Sequence, residues 1–236
     1  MEQFPPLFIE AFGDTWLQRG GLSLYFTHAT TDGEPVRAFL KRPGPSERAE
    51  GWMLDGSGNR VCYGTATLGG PDPESTVRRR ISTMPEPKDL RILADVAPEA
   101  VGEKVATRIG ADRLAQRLRV ITETLPAYED AGIYGKCICT PALQVQLLRP
   151  AERSILPRNP DFGVGLFGAI ELQLLHGPVL VDHDYEAQAR VVAIGETPKT
   201  ESIYYEATLS DPQTDDDVLS MIMMLRFMKA SSRLWR

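Results

Sequence analysis

TPALQVQLLRPAERSIL, residues 140–156, decides how this chain is organised, because it reads as one hydrophobic helix with four extended segments behind it. Thr140 suits an N-cap and Pro141 a first helical position, where a missing N–H costs nothing. Ala142, Val145, Leu147 and Leu148 make the apolar side, until Pro150 kinks or restarts the helix. The segments that follow are LFGAIELQLLHG (166–177), YEAQARVVAIGE (185–196), TESIYYEATLSD (200–211) and DVLSMIMMLRFMK (217–229). The same order occurs earlier in the chain. PPLFIEAFGDTWLQRGG (5–21) precedes LSLYFTHA (22–29), EPVRAFLKR (34–42), ERAEGWML (47–54) and NRVCYGTATLGG (59–70). A unit that recurs fixes the architecture before any single residue is interpreted.

Periodicity supports each part. Leu7, Phe8, Ala11, Phe12, Trp16 and Leu17 fall on one stripe of a helix that Gly20 and Gly21 stop. The period then changes to two, with Leu22, Leu24 and Phe26 on one face and Ser23, Tyr25 and Thr27 on the other. Val36, Ala38 and Leu40 alternate likewise with Arg37 and Lys41. Asp55–Asn59, DGSGN, is a hairpin turn, so its flanking strands are antiparallel neighbours. In the second copy Ala187, Ala189, Val191 and Ala193 share a face, as do Ile203, Tyr205, Ala207 and Leu209, with GETPKTE (195–201) as the hairpin between them. The nearly continuous MIMMLRFM predicts a strand buried on both faces. One helix laid on an antiparallel sheet, twice over, makes an α+β fold.

The expected division is an N-terminal unit at 1–70, a crossing linker at 71–111 and a C-terminal unit at 112–236. The linker is marked by PDPES, the run Arg78, Arg79 and Arg80, and PEPKD, with little apolar period. RLAQRLRVITETL beyond it allows a helix from Asp112 that runs into a strand near Val120. A net charge of -6 argues against a general nucleic-acid binder, which needs a basic face for phosphates. Its densest acidic cluster, Asp215–Asp217, belongs in a solvated turn. Cys62, Cys137 and Cys139 have no metal-ligand spacing, so a reduced, cytoplasmic protein without a metal is expected. MEQFPPLF lacks the pattern of a secretory signal, and no apolar run reaches the ~18 residues of a membrane span.

Three stretches carry a family resemblance. DGSGNRVCYGTATLGG (55–70) is similar to the closing hairpin of acyl-thioester hotdog proteins. CICTPALQVQLL (137–148) resembles the entry to the central helix of MaoC-like dehydratases, and HGPVLVDHDYEAQARVVAIGE (176–196) resembles their turn into the long second strand. The resemblance implies a double hotdog, two units forming a pseudo-dimer within one chain. It also implies an acyl-thioester ligand, with coenzyme A or acyl carrier protein as the thiol and no cofactor beyond coenzyme A within the substrate. The pantetheine arm would run along the seam between units, and the whole chain would form a homodimer.

MaoC-like hydratases place an Asp and a His on the loop before the central helix, where they activate water and protonate the thioester α carbon. The corresponding loop here, TLPAYEDAGIYGKCICTP (124–141), holds Tyr128, Glu129 and Asp130 but no histidine. The hydratase pair therefore does not carry over. Thioester hydrolysis remains, with Glu129 or Asp130 activating water and the free N–H groups at the helix head polarising the thioester oxygen. Hydratase-like chemistry and a non-catalytic acyl-CoA-binding module or partner subunit are the other readings. Tyr128 joins the catalytic set. Tyr134, Thr140 and His176 stand for substrate binding, and Arg78, Arg79 and Arg80 for the phosphates of coenzyme A. His28 reads as a turn residue. His176 and His183 read as hydrogen-bonded turn residues too, unless a carboxylate orients one of them as a general base. The methionines at 221, 223, 224 and 228 line the core or a tunnel.

Overall fold

The computed structural model describes residues 1–44 and 47–236. In chain order they form α1 (Pro5–Phe12), α2 (Trp16–Arg19), β1 (Gly20–Phe26), β2 (Val36–Leu40), β3 (Arg48–Asp55), β4 (Arg60–Leu68), α3 (Thr76–Ser82) and β5 (Val105–Thr107). Then come α4 (Ala111–Leu118), α5 (Pro126–Glu129), α6 (Pro141–Glu152), β6 (Gly165–Leu174), β7 (Tyr185–Glu196), β8 (Thr200–Asp211) and β9 (Asp216–Met228). All nine strands lie in one antiparallel sheet, ordered β2-β3-β4-β1-β6-β9-β8-β7-β5. Outward from the centre, each half runs first strand, fourth, third, second. The repeat read in the sequence is therefore a repeat of topology.

The two halves meet where β1 pairs with β6, with Leu22 opposite Leu172 and Leu24 opposite Ile170. Those four side chains are buried in the main core, alongside Phe8, Trp16 and Leu17. The seam expected to hold a pantetheine arm is thus filled by packed side chains. Residues one step along point the other way. On that outer face Ser23, Thr65, Glu171 and Gln173 are buried, and Asp72 and Ser75 of the crossing segment are buried against them. Asp72 accepts from Thr65 Oγ1 at 2.8 Å and Arg48 Nε at 3.0 Å, while Glu171 accepts from Ser75 Oγ and Arg78 Nε, both at 2.6 Å. Satisfied in this way, the buried carboxylates hold the linker to the seam.

α6 is the central helix of the second half. Leu143, Leu147, Leu148 and Ala151 have no exposed surface, and each leucine buried there stabilises the fold by about 1.5–3 kcal/mol. β9 is buried on both faces, as its composition predicts. Two expectations need correction, and one point that the pattern leaves open is decided. The N-terminal helix breaks into α1 and α2, because Gly13 adopts φ 71° and its N–H donates back to Ile9 O. The linker is not plain connection, since Ser75 Oγ caps α3 over the arginine run and β5 pairs with β7 inside the expected 71–111 stretch. No strand forms near Val120, where α4 ends in turns.

The rest of the linker is held by two carboxylates of the β7–β8 hairpin. Glu201, fully buried, accepts from the N–H groups of Arg91, Ile92 and Leu93 and from Trp235 Nε1. Glu196 accepts from the N–H groups of Lys88 and Asp89 and from Lys229 Nζ. Lys229 hydrogen-bonding lowers the Glu196 carboxyl to about 2, assisted by the two backbone bonds. Among the described residues no helix is long and apolar enough to cross a membrane.

Candidate functional site at the two ends of the central helix

The head of α6 is where the loop residues were expected to act. Pro141 brings no N–H, so the first donor of the helix is Ala142. That donor is already engaged: Ala142 N–H donates to Glu2 Oε1 at 3.1 Å. The same oxygen accepts from Thr140 Oγ1 at 2.9 Å and from Arg117 Nε at 3.0 Å. Thr140 caps nothing with its side chain, and a carboxylate from the far end of the sequence does so in its place. A negative group at a helix N-terminus is stabilising on both hydrogen-bonding and dipole grounds. Glu2 is 6% exposed, and its second oxygen, Oε2, has no partner among the described residues. The positive end expected to meet a thioester oxygen is filled by the chain itself.

The other predicted residues do not converge. Tyr128 is buried at 3%, and burial, with the nearby Glu2 and Cys139, pushes its phenol well above the usual range. Glu129 and Asp130 face solvent, and Asp130 Oδ1 accepts from Gly132 N–H within its own turn. Tyr134 Oη accepts from Gln18 Nε2 at 2.8 Å. His176 is exposed, with Nδ1 2.9 Å from Asp217 O, and His28 stands 3.9 Å from Asp55 in the hairpin region. His183 Nε2 lies 2.7 Å from Asp211 Oδ2, so a carboxylate does orient it, though from the end of β8 rather than from its neighbours Asp182 or Asp184. Arg78 is engaged by Glu171, Arg79 is exposed, and Arg80 lies over the Tyr25 ring.

The foot of α6 differs. A cavity of about 500 Å³ opens there, walled by Leu156, Phe162, Phe167, Leu225 and Phe227, with Arg149, Glu152 and Arg158 among its polar lining. This size and mixture suit a small-molecule site. Glu152 closes the helix on its buried side and accepts from Tyr205 Oη at 2.5 Å. Arg149 Nη1 lies 2.8 Å from Glu152 Oε2 yet is aligned on no acceptor among the described residues. Burial raises the Glu152 carboxyl, against the opposing effects of the Tyr205 bond and of Arg149, Arg153 and Arg158. A carboxyl with a raised pKa in a cavity, oriented by a phenol and beside a guanidinium, can give or take a proton.

Sequence reasoning missed Glu2 and Glu152 for different reasons. Nothing near Glu2 in sequence reports its partners, which are more than a hundred residues away. Glu152 did leave a signal, since Val145, Leu148 and Glu152 continue one helical stripe and put an acid on the apolar face.

No family model and no curated protein matches the chain. Solved structures do. A MaoC-like dehydratase superposes with a TM-score of 0.55 at 14% identity, over 96% of this chain and 81% of that one. A conserved hypothetical protein of Mycobacterium tuberculosis, described as having a double hotdog fold, gives 0.55 at 12% over 94% and 78%. A protein named as a MaoC domain dehydratase candidate, from Chloroflexus aurantiacus, gives 0.54 at 14% over 94% and 80%. The likeness spans nearly the whole chain, and the fold is a double hotdog.

Proposed function

We propose that this chain handles an acyl thioester of coenzyme A or acyl carrier protein, with the acyl group in the cavity at the foot of α6. The observation that carries the reading is that cavity, with apolar walls and an ionisable floor, in a fold shared with MaoC-like dehydratases. Hydratase-type chemistry is the form that Glu152 supports. Its carboxylate would take a proton from water as the water oxygen bonds the β carbon of a 2-enoyl thioester. The carboxyl would then return that proton to the α carbon, so that one water is added and Glu152 is regenerated. Hydrolysis at the loop before α6, with Glu129, Asp130 and Tyr128, is the other catalytic form. A homodimer and a cytoplasmic setting belong to the same proposal. Light scattering at twice the 26.1 kDa chain mass would support the dimer.

The Glu2-filled helix head favours a second reading, a hotdog module that binds the thioester without turning it over. One panel separates these. The protein is incubated with saturated and 2-enoyl coenzyme A thioesters, following enoyl absorbance, free thiol and binding heat. Loss of enoyl absorbance that Glu152→Gln abolishes supports hydration. Thiol release abolished by Glu129→Gln or Asp130→Asn moves the chemistry to the loop. Saturable binding with neither signal supports the module, and the absence of binding across the panel sinks the acyl-thioester reading.

A further inference from the structure

Leu225 and Phe227 line the foot cavity, so Arg226 between them emerges on the opposite face of β9. There its guanidinium carbon lies 4.8 Å from the centroid of Tyr25, and Nη2 donates to Gly168 O at 3.3 Å. Arg226 rests across Gly168, where an added Cβ would come within 2.6 Å of Arg226 Nε. Arg80, in the last turn of α3, lies 4.4 Å from the same Tyr25 centroid. Two cations thus share one ring although like charges repel. Among the described residues neither arginine has a carboxylate at ion-pair distance, whereas Arg78, two positions before Arg80, is paired with Glu171.

This cluster and the cavity flank one open strand edge. The β1–β6 pairing ends with Tyr25 opposite Ala169, so Gly165–Phe167 pair with β9 alone. Val164, Leu166 and Phe167 stand about half exposed along that edge. On that edge Leu166 is the register partner of Arg226 on β9.

We infer that Arg80, Arg226 and Tyr25 form an anion site for a phosphate ester, the charged end of a ligand whose apolar end occupies the foot cavity. A phosphate answers two guanidinium groups better than a carboxylate, because it carries more charge and more acceptor oxygens. The inference rests on the acyl-thioester reading for the apolar end. It extends the arginine run of the sequence to a partner on β9 and leaves Arg78 out.

The experiment compares three forms of one acyl group: acyl-CoA, acyl-4′-phosphopantetheine and acyl-pantetheine, titrated into the full chain and into Arg80→Glu and Arg226→Gln. Acyl-CoA is expected to bind at least about tenfold more tightly than acyl-pantetheine, with the gap narrowing as salt rises. Each variant should close most of that gap while leaving acyl-pantetheine affinity unchanged, and Arg80→Glu should leave the melting temperature unchanged as well. Arg80 is exposed, so its variant keeps the test sound should Arg226→Gln perturb folding. An advantage already complete in the phosphopantetheine form assigns the site to the phosphate next to the arm. One present only in acyl-CoA assigns it to the nucleotide. Equal binding of all three forms, or a gap that neither variant narrows, overturns this inference alone. Failure of every form to bind overturns the acyl-thioester reading with it.

Discussion

The two halves of the sheet share a strand order and differ in what they wrap. In the second half α6 is 12 residues long and buries eight of them. In the first, α1 is eight residues long and buries Pro5 and Phe8. The residues just ahead of α1 do not build a polar loop for their own helix. Met1–Phe4 instead cross to the other half, where Glu2 fills the head of α6. Duplicated topology therefore coexists with an unequal division of labour, in which the first half supplies cover and the second supplies the longer, more deeply buried helix.

The largest effect should follow from cutting into that helix. Leu147→Ala leaves a cavity under α6 and is expected to cost about 2–5 kcal/mol in urea unfolding. Leu7→Ala, in the partly buried α1, should cost roughly 1 kcal/mol. Equal losses would break the asymmetry. Next comes the attachment of the linker to the second half. Glu201→Ala strands three backbone N–H groups and the Trp235 indole, at about 3 kcal/mol. Hydrogen exchange should locate the loss at residues 88–96, and protection there equal to that of the intact chain would count against it.

Smaller again is Glu2→Ala, expected to cost about 1–2 kcal/mol by unpairing Ala142, Thr140 and Arg117. If the filled head is what silences chemistry there, the same variant should gain turnover on the thioester panel. An unchanged profile would leave Glu2 as a cap and nothing more. The smallest effects are in pH. The depressed Glu196 carboxyl contributes stability that is present above its unfolded value and is lost as pH falls through about 2. Glu152 has the opposite sign: its raised carboxyl contributes most below the unfolded value, and that contribution fades as pH rises through the folded one. Glu196→Gln should flatten the acid limb of a stability–pH curve and Glu152→Gln the limb above it. A curve with both limbs intact in either variant would refute that assignment.

Much of this was legible beforehand, where it depended on local pattern. The alternation of Leu22 and Leu24, the stripe through Val145 and Leu148, and the DGSGN turn each report their own surroundings, so the repeat and the α+β double hotdog could be read. What escaped depends on distant partners. Arg78 looked free in a basic run and is bound to Glu171, 93 residues on. The break at Gly13 escaped because the apolar stripe continues across it through Trp16 and Leu17. Of the candidate site, the sequence marked the loop at the head of α6, and the loop's composition says nothing about the incoming Glu2 that fills it.

The continuous sheet has a consequence for any attempt to divide the chain. Cutting it between β1 and β6 would bare two backbone edges of five or more residues, each with alternate hydrophobic side chains, in the middle of what is now a single ladder. Such edges recruit other strands, so separately expressed halves should aggregate or find each other again. Ancestrally independent or not, the two copies now share one fate in synthesis, folding and degradation. A protease that nicked the linker would leave them joined by the β1–β6 ladder.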